Sequence, residues 1–194
     1  FIFVQSGFGL VALESKKKYP NHIAGVIMSG TPINSNSTVA KQNEAYFQQH
    51  ADAHRKKIDA ERRSAWAQKD HSNRSFSEQF INWYIRRDAP RYWHTPDFDC
   101  TPVWQGITMS ETIHYFFSTL TPSTDTTQNL QKVICPVFLA AGVDDYDCCP
   151  IFWKTVPQLP PRMTISMFEK SGHWPHYEEA NLFDERIAQW LTQL

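Results

Sequence analysis

Three stretches of this chain are apolar at almost every position: Phe1-Ile2-Phe3-Val4, Ile23-Ala24-Gly25-Val26-Ile27-Met28 and Ile134-Cys135-Pro136-Val137-Phe138-Leu139-Ala140-Ala141. A strand with one wet face alternates. A continuous apolar run reads instead as a strand covered on both faces, the habit of parallel sheets. Met163-Thr164-Ile165-Ser166-Met167-Phe168 reads as a fourth strand. Between the first two runs, Gly7 to Lys18 reads as a helix. It ends on Lys16-Lys17-Lys18, which suits the negative end of the helix dipole, and Tyr19-Pro20-Asn21 stops it. Strand, helix and strand with short joints make a βαβ unit, so the fold class is α/β with a mostly parallel sheet.

The pattern breaks in the middle. From Asn34 to Asp125 the chain is polar, helical in pattern and rich in aromatic residues. The organisation expected is a core segment 1–33, a helical insertion 34–125 and a second core segment 126–194. Within the insertion, Thr38 to Asp70 reads as helical, with a solvated charge run at Arg55-Lys56-Lys57 and Glu61-Arg62-Arg63. Ser75 and Glu78 have capping-box spacing, with Phe76, Phe80, Trp83, Tyr84 and Arg87 on the face that follows and Pro90 closing that helix. Ile113, Phe116, Phe117 and Leu120 mark another helix, Pro150 to Val156 a short one, and Leu182, Phe183, Arg186, Ile187, Trp190 and Leu191 an amphipathic last one.

Composition excludes several functions. With 194 residues, 41% hydrophobic and 14% aromatic, the chain can bury a core. A net charge of -1 leaves no electrostatic footprint for nucleic acid. No apolar run approaches the ~18 residues of a membrane span. Cys100, Cys135, Cys148 and Cys149 lack zinc-finger spacing and read as free thiols of a reducing compartment, so a cytoplasmic location is expected. The triplets Asn36-Ser37-Thr38 and Asn73-Arg74-Ser75 would accept glycans only in a secreted protein. The first residue already lies inside a strand, and we expect an N-terminal portion to precede it.

In open parallel sheets, sites form at the carboxyl ends of the strands. Ser6 follows the first strand, Asp144, Asp145 and Asp147 follow the third, and His173 follows the fourth. A serine hydroxyl needs a base, histidine titrates near neutrality, and a carboxylate fixes the imidazole tautomer. Read alone, Ser6 has three possible roles: nucleophile, helix cap, or part of a phosphate cradle. Gly7-Phe8-Gly9-Leu10-Val11-Ala12 fits the dinucleotide fingerprint G-x-G-x-x-A, but the next strand ends Met28-Ser29-Gly30 without the acidic residue that would bind a ribose.

Three motifs together resemble the α/β-hydrolase family over essentially the whole chain, with a flavour of its proline-iminopeptidase-like and esterase-like members. Gln5-Ser6-Gly7-Phe8-Gly9, with its helix and with Ser29-Gly30-Thr31-Pro32, looks like the nucleophile elbow. Cys135-Pro136-Val137-Phe138-Leu139 with Gly142-Val143-Asp144-Asp145 looks like the acid strand. Phe168-Glu169-Lys170-Ser171-Gly172-His173-Trp174-Pro175 looks like the histidine loop. The resemblance implies a hydrolase sheet with an inserted helical cap and without the family's N-terminal strands. It implies Ser6 as nucleophile, His173 as base and Asp145 as acid, with Asp144 and Asp147 as fallbacks. It also implies an oxyanion donor from the Gly7 N–H, a small-molecule substrate, and no cofactor or metal.

The elbow departs from G-x-S-x-G, with Val4 and Phe8 at the usual glycine positions and Gly7 and Gly9 each one residue away. The family's second oxyanion donor comes from an earlier loop that this chain does not contain. Losing one donor typically costs about 10²–10³ in rate, so residues 1–194 alone are expected to be poorly active. Under the cap, Trp83, Trp104, Phe116, Phe117 and Trp174 are the expected lining of an apolar substrate pocket, and Glu111 is a candidate to hold a substrate amine. The alternative is a non-catalytic member that binds a small ligand under its cap. His50 and His54, at i,i+4 spacing, read as a solvated helix face. His176 beside His173 is a weaker metal pair than the triad. Cys148 and Cys149 read as small buried filler.

Overall fold

In the computed structural model, which describes residues 1–70, 72 and 74–194, four parallel strands form one sheet in chain order. They are β1 (Ile2–Gln5), β2 (Val26–Ser29), β3 (Val137–Gly142) and β4 (Met163–Phe168). β3 is buried at all six positions, and its side chains alternate between two cores. Val137, Leu139 and Ala141 pack with Leu13, Val26, Met28 and Trp153 on one side. Phe138 and Ala140 pack with Phe168, Phe183 and Trp190 on the other. Both faces are dry, which explains why this strand reads as an unbroken apolar run.

Helix α1 (Phe8–Lys18) leads from β1 towards β2 and buries Leu10, Ala12 and Leu13. Burying each leucine contributes about 1.5–3 kcal/mol. Between β2 and β3 the described residues form helices and loops only: α2 (Ser37–His50), α3 (Ala53–Ala67), α4 (Phe76–Asn82), α5 (Ala89–Tyr92), α6 (Thr101–Trp104), α7 (Glu111–Tyr115) and α8 (Thr121–Ser123). After β4 come α9 (Pro175–Glu178) and α10 (Ala180–Leu191), which buries Phe183 and Trp190.

Two expectations for the insertion change. The stretch expected to be helical over Thr38–Asp70 is divided between two helices. Ala51 turns extended, and the Asp52 side chain accepts the Arg55 N–H at 2.8 Å, capping a new start. His50 and His54 therefore stand on different helices, and His50 stacks on Tyr46. Pro90 does not close the helix that starts at the Ser75–Glu78 capping box. The chain widens into a π-helical turn over Trp83–Asp88 and then begins α5 with Pro90 in its first turn, where no N–H is needed. Of the two glycosylation-type triplets, Asn36 caps α2, accepting the Val39 N–H at 3.0 Å. Asn73 lies outside the described residues. The four cysteines are free and buried. Among the described residues no helix is long and apolar enough to cross a membrane.

Candidate active site

Ser6 is the first residue after β1 and has φ +56°. That left-handed conformation costs a non-glycine residue about 1–2 kcal/mol. The strain is held in place by backbone bonds. The Ser6 N–H donates to Ser29 O at the end of β2 (2.9 Å), and Ser6 O accepts the Gly9 N–H (3.0 Å), which starts α1. The departure from the usual glycine spacing has a physical resolution. A Cβ on Gly9 would fall 2.2 Å from the Thr31 hydroxyl, so the close approach of helix to strand is made at Gly9. Phe8 points outward and stacks on Phe116. Gly7 stands at the N-terminal end of α1, where first-turn N–H groups have no partner within the helix and the dipole favours negative charge.

The acid loop and the histidine loop meet above β3 and β4. A Cβ on Gly142 would lie 2.0 Å from Gly172 O, so only glycine lets the two loops cross. Val143 N donates to Phe168 O at 3.0 Å and Asp144 N to Ser171 O at 3.1 Å. Asp145 Oδ2 accepts His173 Nδ1–H at 2.7 Å, both side chains being buried. Asp145 Oδ1 accepts the N–H groups of Cys148 (2.8 Å) and Asp147 (3.2 Å). Neither fallback carboxylate reaches His173 in this way. Asp144 pairs with His94 at 2.6 Å, and Asp147 accepts from the Tyr92 hydroxyl at 2.8 Å.

The insertion holds the histidine in place. Tyr92 O accepts the His173 N–H at 2.6 Å, and Arg91 O accepts the Tyr146 N–H at 3.0 Å, so two adjacent residues after the π-turn brace both loops. Gly30 (φ +55°) passes so close that a Cβ there would meet His173 O at 2.4 Å. Burial disfavours the His173 imidazolium, but the charge and hydrogen bond of Asp145 outweigh it and hold the pKa above the ordinary 6.5. His176 bonds the Ser29 hydroxyl at 2.9 Å, and burial followed by repulsion from His173 pushes its pKa down to about 4.

Among the described residues the Ser6 hydroxyl makes no hydrogen bond to His173, a contact that often tightens only around substrate. Ser6 opens onto a cavity of about 330 Å³. Phe80, Trp83 and Phe117 line it together with Asn43, Glu44, Asp88, Arg91 and Asp147. Trp83 and Phe117 are thus at the cavity. Trp104 and Trp174 are not among its lining residues. They fill an aromatic cluster with Tyr84 and Trp93, Trp104 lying on Tyr84 and Trp174 on Trp93. Phe116 lies behind Gly7, against Phe8 and Phe117. Glu111 is exposed at the start of α7, away from the lining. The lining is therefore mixed rather than uniformly apolar. Asp88 is the clearest member that sequence reasoning missed. Burial, against the pull of Arg63 and Arg87, raises its pKa to about 6.

The comparisons concern the fold. No protein-family model matches the chain. It is 29% identical over 197 residues to the AB hydrolase superfamily protein YclE of Bacillus subtilis, covering 99% of this chain and 68% of that protein. An alpha/beta fold family hydrolase from Bacillus anthracis superposes with a TM-score of 0.67 at 19% identity, over 97% of this chain and 66% of that one. The proline iminopeptidase of Mycobacterium smegmatis superposes with a TM-score of 0.62 at 18% identity, over 98% and 64%. A thermophilic esterase from Thermogutta terrifontis gives 0.58 at 20% identity, over 98% and 64%. The chain spans about two thirds of the length of these relatives.

Proposed function

We propose that this chain, which shares the α/β-hydrolase fold, is a serine hydrolase cleaving an ester or amide bond of a small substrate. One observation carries the reading. A serine in the left-handed conformation, and a buried Asp145–His173 pair, follow three strands of one parallel sheet. Ser6 Oγ attacks the carbonyl carbon while His173 Nε2 takes its proton. Asp145 keeps the other ring proton on Nδ1 and stabilises the imidazolium. The Gly7 N–H, at the positive end of α1, faces the developing oxyanion. His173 then protonates the leaving group, and water attacks the acyl-enzyme by the reverse route. The insertion acts as a cap over the nucleophile. Its aromatic side chains receive the apolar part of the substrate, and the polar side chains among them bind a polar end.

The test is hydrolysis of p-nitrophenyl esters of graded acyl length, with Ser6→Ala as control. Activity absent from the folded unsubstituted chain across the series, or equal in the control, rejects the reading. The pH dependence gives a second check. His173 acts as a base only when unprotonated, and its pKa is raised, so kcat/KM rises with pH and reaches half its plateau above pH 6.5. A half-maximum at or below that pH contradicts the Asp145–His173 coupling.

A further inference from the structure

A thiol sits inside the triad. Cys148 follows Asp145 by three positions, and its backbone N–H donates to Asp145 Oδ1 at 2.8 Å. The Cys148 sulfur, an Asp145 oxygen and a His173 ring nitrogen all lie within 4.8 Å of one another, and all three residues are buried. Asp147 Oδ2 lies 4.0 Å from the same sulfur. Ser6, Asp147 and Cys148 line the cavity, so a small ion has a route in.

Sulfur with imidazole nitrogen suits a thiophilic d¹⁰ dication such as zinc or cadmium, whereas magnesium and calcium take oxygen donors. Two carboxylates beside the sulfur, Asp145 and Asp147, supply negative charge that a dication offsets. His173 uses Nδ1 for Asp145 and has Nε2 left to ligate, an arrangement in which the carboxylate orients the ligating imidazole.

We propose that Cys148 and His173, beside Asp145, form a site for a thiophilic divalent cation, and that its occupancy switches the nucleophile off. On binding, the S–H bond of Cys148 breaks, a sulfur–metal bond forms, and the proton leaves to solvent with no change of oxidation state. The metal takes the Nε2 lone pair that would have accepted the Ser6 proton. The ion is an inhibitor, and no step of the hydrolysis passes through it. The switching half rests on Ser6 being the nucleophile; the binding half does not.

The experiment titrates the folded chain with cadmium and follows the ultraviolet cadmium–thiolate charge-transfer band. One equivalent is expected to bind, with the band lost in Cys148→Ser and kept in Cys149→Ser and Cys135→Ser. Asp145→Asn should weaken binding about 10–100-fold. A band that persists in Cys148→Ser, or none in the unsubstituted chain, overturns the site. If Cys148→Ser does not fold, alkylation of the unsubstituted chain decides, since zinc should protect Cys148 as located by peptide fragmentation, and unchanged alkylation overturns the site. Zinc should also abolish fluorophosphonate labelling of Ser6, with a chelator restoring it. Labelling that persists with cadmium bound at Cys148 overturns the switch. A serine unlabelled even without metal overturns both the switch and the hydrolase reading, while the cadmium band still decides the binding site.

Discussion

Asp145→Asn is expected to lower kcat about ten-thousandfold while the chain stays folded. Both oxygens of Asp145 are acceptors: Oδ2 takes the His173 Nδ1–H, and Oδ1 takes two backbone N–H groups of its own loop. An asparagine presents one oxygen and one NH₂. If the oxygen stays with the backbone, the NH₂ faces His173 Nδ1. The ring can then accept that bond only by moving its proton to Nε2, which leaves it without a lone pair for the proton of Ser6. If the amide turns round, its NH₂ faces two backbone donors, and the loop that carries Asp145 loses its anchor. The check is kcat on an activated ester, with circular dichroism confirming the fold. A loss below tenfold in a folded variant means that another group orients His173.

Arg91→Ala is expected to lower the unfolding free energy by about 3–5 kcal/mol. Arg91 is nearly buried and holds Asp59 with two parallel bonds of 2.9 Å, from Nε and from Nη2, while Nη1 reaches Glu44 at 2.6 Å. Removing it leaves Asp59, itself 4% exposed, with Arg63 as its remaining cationic partner. Burial raises the Asp59 pKa, but Arg91 and then Arg63 outweigh it and hold the carboxyl below 3.8. The stabilisation is therefore present above the unfolded pKa near 3.8 and is lost as the pH falls through the lower folded value. At about 2–4 °C per kcal/mol for a chain of this size, the melting temperature should fall by on the order of 10 °C. Because the backbone of Arg91 and Tyr92 braces the acid and histidine loops, kcat should fall as well. A variant as stable as the unsubstituted chain shows that Arg63 alone neutralises Asp59.

The sheet and the residues at its strand ends were legible because each depends on local pattern. A strand dry on both faces, as β3 is, must be apolar throughout, and the Asp144-Asp145 pair just beyond it marks the sheet's carboxyl edge. The insertion was less legible. Its break at Ala51–Asp52 depends on one capping carboxylate inside a run that is otherwise helical, and Pro90 both permits and restarts a helix after the π-turn. The cavity lining was the least legible. Aromatic residues serve equally in a packed cluster or as pocket wall, and only tertiary packing assigns Trp104 and Trp174 to the first and Trp83 and Phe117 to the second. Asp88 carried no signal, because an acidic residue beside Arg86 and Arg87 reads as a solvated turn. Its burial comes from the wide turn that sets it against the Trp83 indole and Arg63.

The central claim is that Ser6 is a live nucleophile. The direct test is to label the folded chain with a fluorophosphonate, which reports an activated serine whatever the natural substrate, and to map the modified peptide by mass spectrometry. Covalent labelling at Ser6, absent in Ser6→Ala and strongly slowed in His173→Ala, is the predicted result. A folded chain that leaves Ser6 unmodified, or that labels Ser6 equally well without His173, contradicts it.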